Sequence, residues 1–178
     1  MLLNMIYFGL SGKIVDVEIA FLYGELEEEM FMGCPPGMAG IKDDDVLLLL
    51  KCIYGLVQAA IQYHKKFVTI LRSIGFTGGD VDTCPFVRKS AKGICFVGIY
   101  VNNKLFLGHP AAIFETVSQL QNKGLVLKIE NGFNGYLSCE IIFAKDRKKA
   151  WLGQPHLIVN LKDKFGDEVK GLIKYKTP

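Results

Sequence analysis

ICFVGIYVNNKLFLG, residues 94–108, decides how this chain reads. Two apolar, β-rich runs flank the pair Asn102-Asn103. Asparagine tolerates positive φ better than other non-glycine residues, so the pair predicts a tight β-hairpin with Asn102-Asn103 as its turn. The runs carry few polar residues, which predicts that both faces of the hairpin are covered. A polar tip on a buried hairpin is either what the chain needs to reverse direction or a place that holds chemistry.

Composition sets the bounds around that hairpin. At 178 residues the chain has room for one domain with a sizeable core, or two very small ones. Half the residues are apolar, which excludes a disordered tail. A net charge of +3 permits an acidic partner without demanding one. The basic residues gather loosely at 65–66, 88–92, 145–149 and 162–176, as solvated helix ends and loops also would. Five widely spaced cysteines without a CxxC pair, and three isolated histidines, fit neither a zinc site nor a disulfide framework. Several of the cysteines lie in apolar runs, which predicts a reducing, intracellular setting. The opening MLLNMIYFGL lacks a basic flank and a small-x-small cleavage site, and Lys51 interrupts the apolar run 46–57. No secretion signal and no membrane span are expected. The abrupt start suggests that an earlier part of the domain is missing.

Working outward, KIVDVEIAF at 13–21 reads as a short buried strand with β-branched residues around Asp16, followed by Glu18 and leading into a turn. Residues 23–29 form a charged, helix-capable patch, with 30–32 extending it or forming a short strand. CPPG at 34–37 breaks any helix. The acidic loop 42–45 suits solvent better than a cation. Residues 47–54 read as a strand or an apolar lead-in. Apolar residues then recur at helical spacing from Leu56 to Leu71, and Gly75 supplies a stop. A polar loop at 76–83 and a short edge strand at 85–89 precede the hairpin. Pro110 opens a second helix to Gln121. Strands are predicted at 125–129, 136–143 and 150–152, joined by turns at 131–135 and 145–149, before a last helix from His156 to Phe165. The tally is a mostly antiparallel sheet with helices on one face, an α+β domain.

Four segments in fixed order resemble the reverse transcriptase domain of copia-type LTR retrotransposons, whose product is part of a Pol polyprotein. They are VDVEIAFLYGELEEEMFMGCPPGM at 15–38, KCIYGLVQAAIQYHKKF at 51–67, IYVNNKLFLG at 99–108, and YLSCEIIFAKDRKKAWLGQPHLI at 136–158. The chain then ends on Thr177-Pro178, where that family also has Thr-Pro. The resemblance covers nearly the whole chain. It implies an antiparallel polymerase palm over 1–108 and a palm end with part of the thumb and connection over 109–178. Most of the basic fingers are absent on this reading. The partners implied are an RNA/DNA template-primer and a deoxynucleoside triphosphate, with no membrane.

The same resemblance implies a site. Family members converge three aspartates, one from the first strand and two from the hairpin tip, around Mg²⁺. Asp16 matches the first. The other two positions are Asn102 and Asn103. Phosphoryl transfer of this kind uses two ions roughly 3.5–4 Å apart, and Mg²⁺ wants anionic oxygen. An amide offers only a dipole, and each factor of ten in rate is about 1.4 kcal/mol of transition-state stabilisation. Polymerase activity is therefore expected to be lost, leaving Asp16 as the retained metal position. Phe21 fits the aromatic that closes on the incoming sugar, and equally a core ring after a strand. Gln58 fits the nucleotide-contacting glutamine. Its surroundings depart from the family, with Val57, Ala60 and Ile61 where Lys, Pro and Arg are usual. Trp151 and Gln154 match a late segment to which a structural role is assigned. Two other readings compete. One is a non-catalytic binding module with a basic cleft built on Lys65, Lys66 and Lys104; the other is a remnant that does not fold stably.

Overall fold

The computed structural model describes residues 2–38, 40, 42, 45–79, 81–130, 133 and 135–166. The acidic pair Asp43-Asp44, most of the predicted turn at 131–135 and the terminal Thr177-Pro178 lie outside the described residues.

Alternation of branched apolar and small residues makes strand β1 (Ser11–Val17), which follows a short helix α1 (Leu2–Tyr7). A 3-10 turn, Ala20–Tyr23, ends the strand. A small hairpin follows, β2 (Phe31–Gly33) with β3 (Val46–Leu48). Helix α2 (Ala59–Ser73) buries Ala59, Tyr63, Phe67 and Leu71, the period of one helix face. Gly75, at φ 88°, takes the left-handed conformation that closes it. Then come β4 (Thr77–Gly78), β5 (Pro85–Ser90), β6 (Gly93–Tyr100) and β7 (Asn103–Gly108). Helix α3 (Pro110–Asn122) starts on proline, whose missing N–H costs nothing in a first turn. The chain continues through β8 (Leu127–Ile129), β9 (Gly135–Tyr136), β10 (Cys139–Phe143), β11 (Ala150–Gly153) and α4 (Pro155–Phe165).

The strands form an antiparallel six-stranded sheet in the order β4-β5-β6-β7-β1-β8 and a three-stranded sheet β11-β10-β9. This is the predicted α+β palm-like architecture. Helices α2 and α3 cover one face of the large sheet, packing Tyr63, Phe67, Leu71, Ile113, Val117 and Leu120 onto Val15, Val17, Val97 and Phe106. The other face is closed by a second cluster in which Met5 of α1, Phe133 and Ile141 of β10 meet Ile14, Leu105 and Leu107. Burying each such side chain stabilises by roughly 1.5–3 kcal/mol, so the hairpin is held from both sides. Gly12 is needed for this closure: a Cβ there would stand 2.7 Å from the Phe133 ring.

Four expectations need correction. Residues 24–29 are not helical, because Glu25 and Glu27 are drawn across to Lys66 and Lys65 of α2 instead. The predicted strand 136–143 is split by a turn at Leu137-Ser138, both with positive φ, so β9 and β10 form their own hairpin. Strand β8 pairs with β1 rather than with its successor. Strand β5 is not an outermost strand, since Thr77 and Gly78 of β4 pair with Val87 and Phe86. The first and third of these corrections concern contacts with a distant segment, to which local pattern is blind. Among the described residues, no helix is long and apolar enough to cross a membrane.

Candidate functional site

The site is built where β1 meets the hairpin. In the register of the sheet Asp16 lies directly opposite Asn103, and Val15 opposite Lys104. Strand alternation puts Asp16 and Asn103 on the Ile14–Leu105 face, while Val15, Val17 and Lys104 point toward the helices. The hairpin turn is not Asn102-Asn103 as predicted. Asn103 already belongs to β7, paired with Tyr100, and the two turn residues are Val101 and Asn102. Val101 consequently sits at φ 46°, a conformation that a β-branched residue adopts only when its surroundings impose it. Two contacts impose it: Val17 donates its backbone N–H to the Asn102 carbonyl at 3.3 Å, and the Lys104 ammonium donates to the Val101 carbonyl.

Asn102 itself is half-buried. Its amide nitrogen donates to the Tyr54 hydroxyl at 3.5 Å, whereas its Oδ1 is buried without a hydrogen-bond partner. Tyr54 also stacks on Phe21, with ring centroids 4.6 Å apart. The structure thus brings Asp16, Asn102 and Asn103 together and joins Phe21 to them through Tyr54. Phe21 packs in addition on Tyr63, centroids 6.3 Å apart, as a core ring after a strand does. Gln58 goes elsewhere: its amide nitrogen donates to Glu28 Oε1 at 3.1 Å and lies 2.7 Å from the Met30 sulfur. Gln154 donates to the Cys139 sulfur at 3.3 Å, a tie between α4 and β10, and Trp151 pairs with Ile142 across β10 and β11.

The three lysines of the basic-cleft reading do not share a surface. Lys65 pairs with Glu27 at 2.7 Å and Lys66 with Glu25 at 2.6 Å. These lysines hold both glutamate carboxyls below the usual range. Lys104 is fully buried, its ammonium 4.7 Å and 4.8 Å from the ring centroids of Tyr63 and Phe67. Burial drives its pKa down to about 7, against the pull of the Asp16 carboxylate. The Tyr63 phenol is pushed far up by burial and by Asp16, and its hydroxyl has no partner. His64 is lowered by burial and by Lys104.

Beyond the tip, on the Ile14 face, a cleft of about 580 Å³ runs between Tyr100 and Asn103 on one side and the β9–β10 turn and His156 on the other. Its charged lining is acidic, Glu130 and Glu140, with neither lysine nor arginine among the described residues. Sequence reasoning missed Tyr54 and this cleft. Tyr54 stands 48 positions from Asn102, and nothing local announces that their side chains meet.

Comparison with known proteins decides the lineage. Residues 11–165 match the family described as reverse transcriptase (RNA-dependent DNA polymerase). The chain belongs to this family. Its relatives are retrotransposon products. The chain is 29% identical over 159 residues to the retrovirus-related Pol polyprotein from transposon TNT 1-94 of Nicotiana tabacum, which covers 88% of the chain and 12% of the relative. It is 31% identical over 128 residues to the Pol polyprotein from transposon RE2 of Arabidopsis thaliana, covering 71% of the chain and 9% of the relative. With that from transposon RE1 of the same plant the figures are 34% over 112 residues, 61% and 8%. The chain therefore spans about a tenth of these curated relatives. No solved structure matches it significantly.

A reverse transcriptase works with a divalent metal, so the tip can be tested for one. The oxygens it offers are one carboxylate, Asp16, and the two amides of Asn102 and Asn103. No group of three or more His, Cys, Asp or Glu side chains able to hold an ion occurs among the described residues. Hard dications need several anionic oxygens, and this donor set does not fit a two-metal centre.

Proposed function

We propose that this reverse transcriptase domain keeps the palm scaffold of a retrotransposon polymerase without its catalysis of nucleotide addition. The observation that carries this reading is the register itself: Asp16 faces Asn103, with Asn102 at the turn, so the strand position is acidic and both tip positions are neutral amides. The surroundings agree. Gln58 is engaged by Glu28 and Met30, and the cleft beside the tip is lined by two glutamates. A phosphate backbone is held by lysine and arginine, which that cleft lacks among the described residues. Template-primer and nucleotide are the partners inherited by descent, and five free cysteines suit an intracellular setting.

Primer extension on an RNA template with Mg²⁺ or Mn²⁺ tests the proposal. The chain as it stands yields no extension product above background, and robust synthesis overturns the reading. A retained nucleic-acid-binding role is separated by fluorescence anisotropy with a labelled primer–template: salt-sensitive binding below micromolar Kd supports that role, and its absence removes it. Ion pairing of Lys65 and Lys66 and burial of Lys104 favour the second outcome.

A further inference from the structure

The edges of the two larger sheets differ in how well they could accept another strand. In the six-stranded sheet β4 is two residues long and β8 carries Lys128 at its centre; in the three-stranded sheet β9 is again two residues long. Strand β11 is the exception. It ends the three-stranded sheet, its residues Ala150–Gly153 carry no charge, and Trp151 and Leu152 are 56% and 62% exposed. Gly153 faces open space, with no heavy atom within 4 Å of where a Cβ would stand. Along β10, Ile141 turns into the core beside Ile14, so alternation turns Glu140 and Ile142 outward. The register sets Ile142 beside Trp151 and Glu140 beside Gly153 on that outer face. Lys149, whose carbonyl accepts the Ala144 N–H at 3.0 Å, continues the strand and shares the face of Trp151. Neither Glu140 nor Lys149 has an ion-pair partner among the described residues.

We propose that β11 pairs with β11 of a second copy of this chain, antiparallel and about a two-fold axis at Trp151, joining two three-stranded sheets into one. The side chains choose the axis. With Trp151 opposite Trp151 the outer faces of both sheets coincide, and Ile142, Trp151, Trp151 and Ile142 form one apolar row across four strands. The same register sets Lys149 of each copy opposite Gly153 of the other. Beyond that glycine, in the same row, stands Glu140. The two charges are then two strand spacings apart, about 9.6 Å, and the glycine between them leaves no side chain in the way. Two such Lys149–Glu140 pairs form, one on each side of the axis. This complementarity of β11 with itself, in charge and in the facing Trp151 rings, is what points to a second copy rather than an unrelated strand. A four-residue edge buries less than the roughly 800 Å² per partner of a stable complex, so association is weak, with a Kd of about 10–100 µM.

Sedimentation equilibrium of the full 178-residue chain between about 5 and 500 µM reads the association, and Trp151, the single tryptophan, reports its place. The expected result is a monomer–dimer equilibrium within this range, with Trp151 emission moving to the red on dilution. A monomer throughout overturns the proposal, and so does a dimer that leaves Trp151 emission unchanged. Lys149→Glu and Glu140→Lys each set like charges across Gly153 and weaken association about tenfold. Mixing the two single variants restores it, because the mixed dimer carries opposite charges in both rows; the double variant Lys149→Glu/Glu140→Lys does so by itself. Undiminished association of both single variants, or no recovery in the mixture, overturns the pairing. Lys148→Glu makes the same change of net charge in the neighbouring turn and leaves association unchanged; an equal loss there overturns the assigned register. If circular dichroism shows that a single variant has lost its fold, the double variant decides: association like the parent's supports the pairing, and its loss overturns it.

Discussion

At the base of the β6–β7 hairpin every position from Lys104 to Gly108 is buried, and Val97 and Phe106 are shut between sheet and helices. At its tip Val101 is 48% exposed at φ 46°, and Asn102 leaves a buried oxygen unpaired. Base and tip share one register but answer to different demands. The base is held by burial on two faces, which is indifferent to the chemistry a few residues away. The tip carries a conformation that the sheet imposes and its own residues would not choose. A scaffold of this kind tolerates a change of charge at its tip without losing shape, because burial at the base does not depend on the tip side chains.

The largest effect should come from the base. Phe106→Ala, at a fully buried position, is expected to cost about 3–5 kcal/mol in urea denaturation; a cost below one kcal/mol breaks the contrast. Next is the polar clamp behind it. Arg88, 7% exposed, donates to Glu115 at 2.6 Å, to Thr116 at 3.2 Å and to Gln119, tying β5 to α3. Arg88→Met leaves these acceptors without their donor and costs about 2–3 kcal/mol by the same measurement.

Acid–base behaviour sharpens the comparison further. Lys104 is lowered in the fold to about 7 from 10.5, so between those values the folded chain binds fewer protons and stability rises with pH. Cys95 is raised to about 11 from 9.0, so stability falls again above about pH 9. Equilibrium unfolding should therefore show a gain on the order of 2 kcal/mol between pH 7 and 9, absent in Lys104→Met. At the tip, Val101→Asn is expected to stabilise by about 1 kcal/mol, because asparagine accepts positive φ. A loss of stability on this change means the turn is not strained. Least of all, Lys65→Ala removes an exposed ion pair and should leave the melting temperature unchanged within error.

Much of this molecule was legible without coordinates, but unevenly. Helical spacing from Leu56 to Leu71 and the Pro110 start gave α2 and α3, because each buries a single stripe that recurs in the sequence. The apolar runs about the hairpin gave β6 and β7 and their two covered faces. The turn came out one residue off. Asn102-Asn103 suits positive φ best, yet the pairing of Tyr100 with Asn103 put the turn on Val101-Asn102. Local preference at the turn was outweighed by the register that buries Leu105 and Leu107 on one face and Phe106 on the other.

By itself, the sequence determined which charges stand at the strand and tip positions: one aspartate and two asparagines, fixed by residue identity and motif order. Only the tertiary structure decided what surrounds them. Whether Lys104 lines a basic cleft or lies under aromatic rings depends on which face of β7 meets α2, and that is set by packing across the whole sheet. Tyr54 reaches Asn102, and Gln58 turns to Glu28, for the same reason. Residue identity fixes the chemistry available at a place. The fold fixes which groups share it, because contacts between distant segments follow from burying one common core.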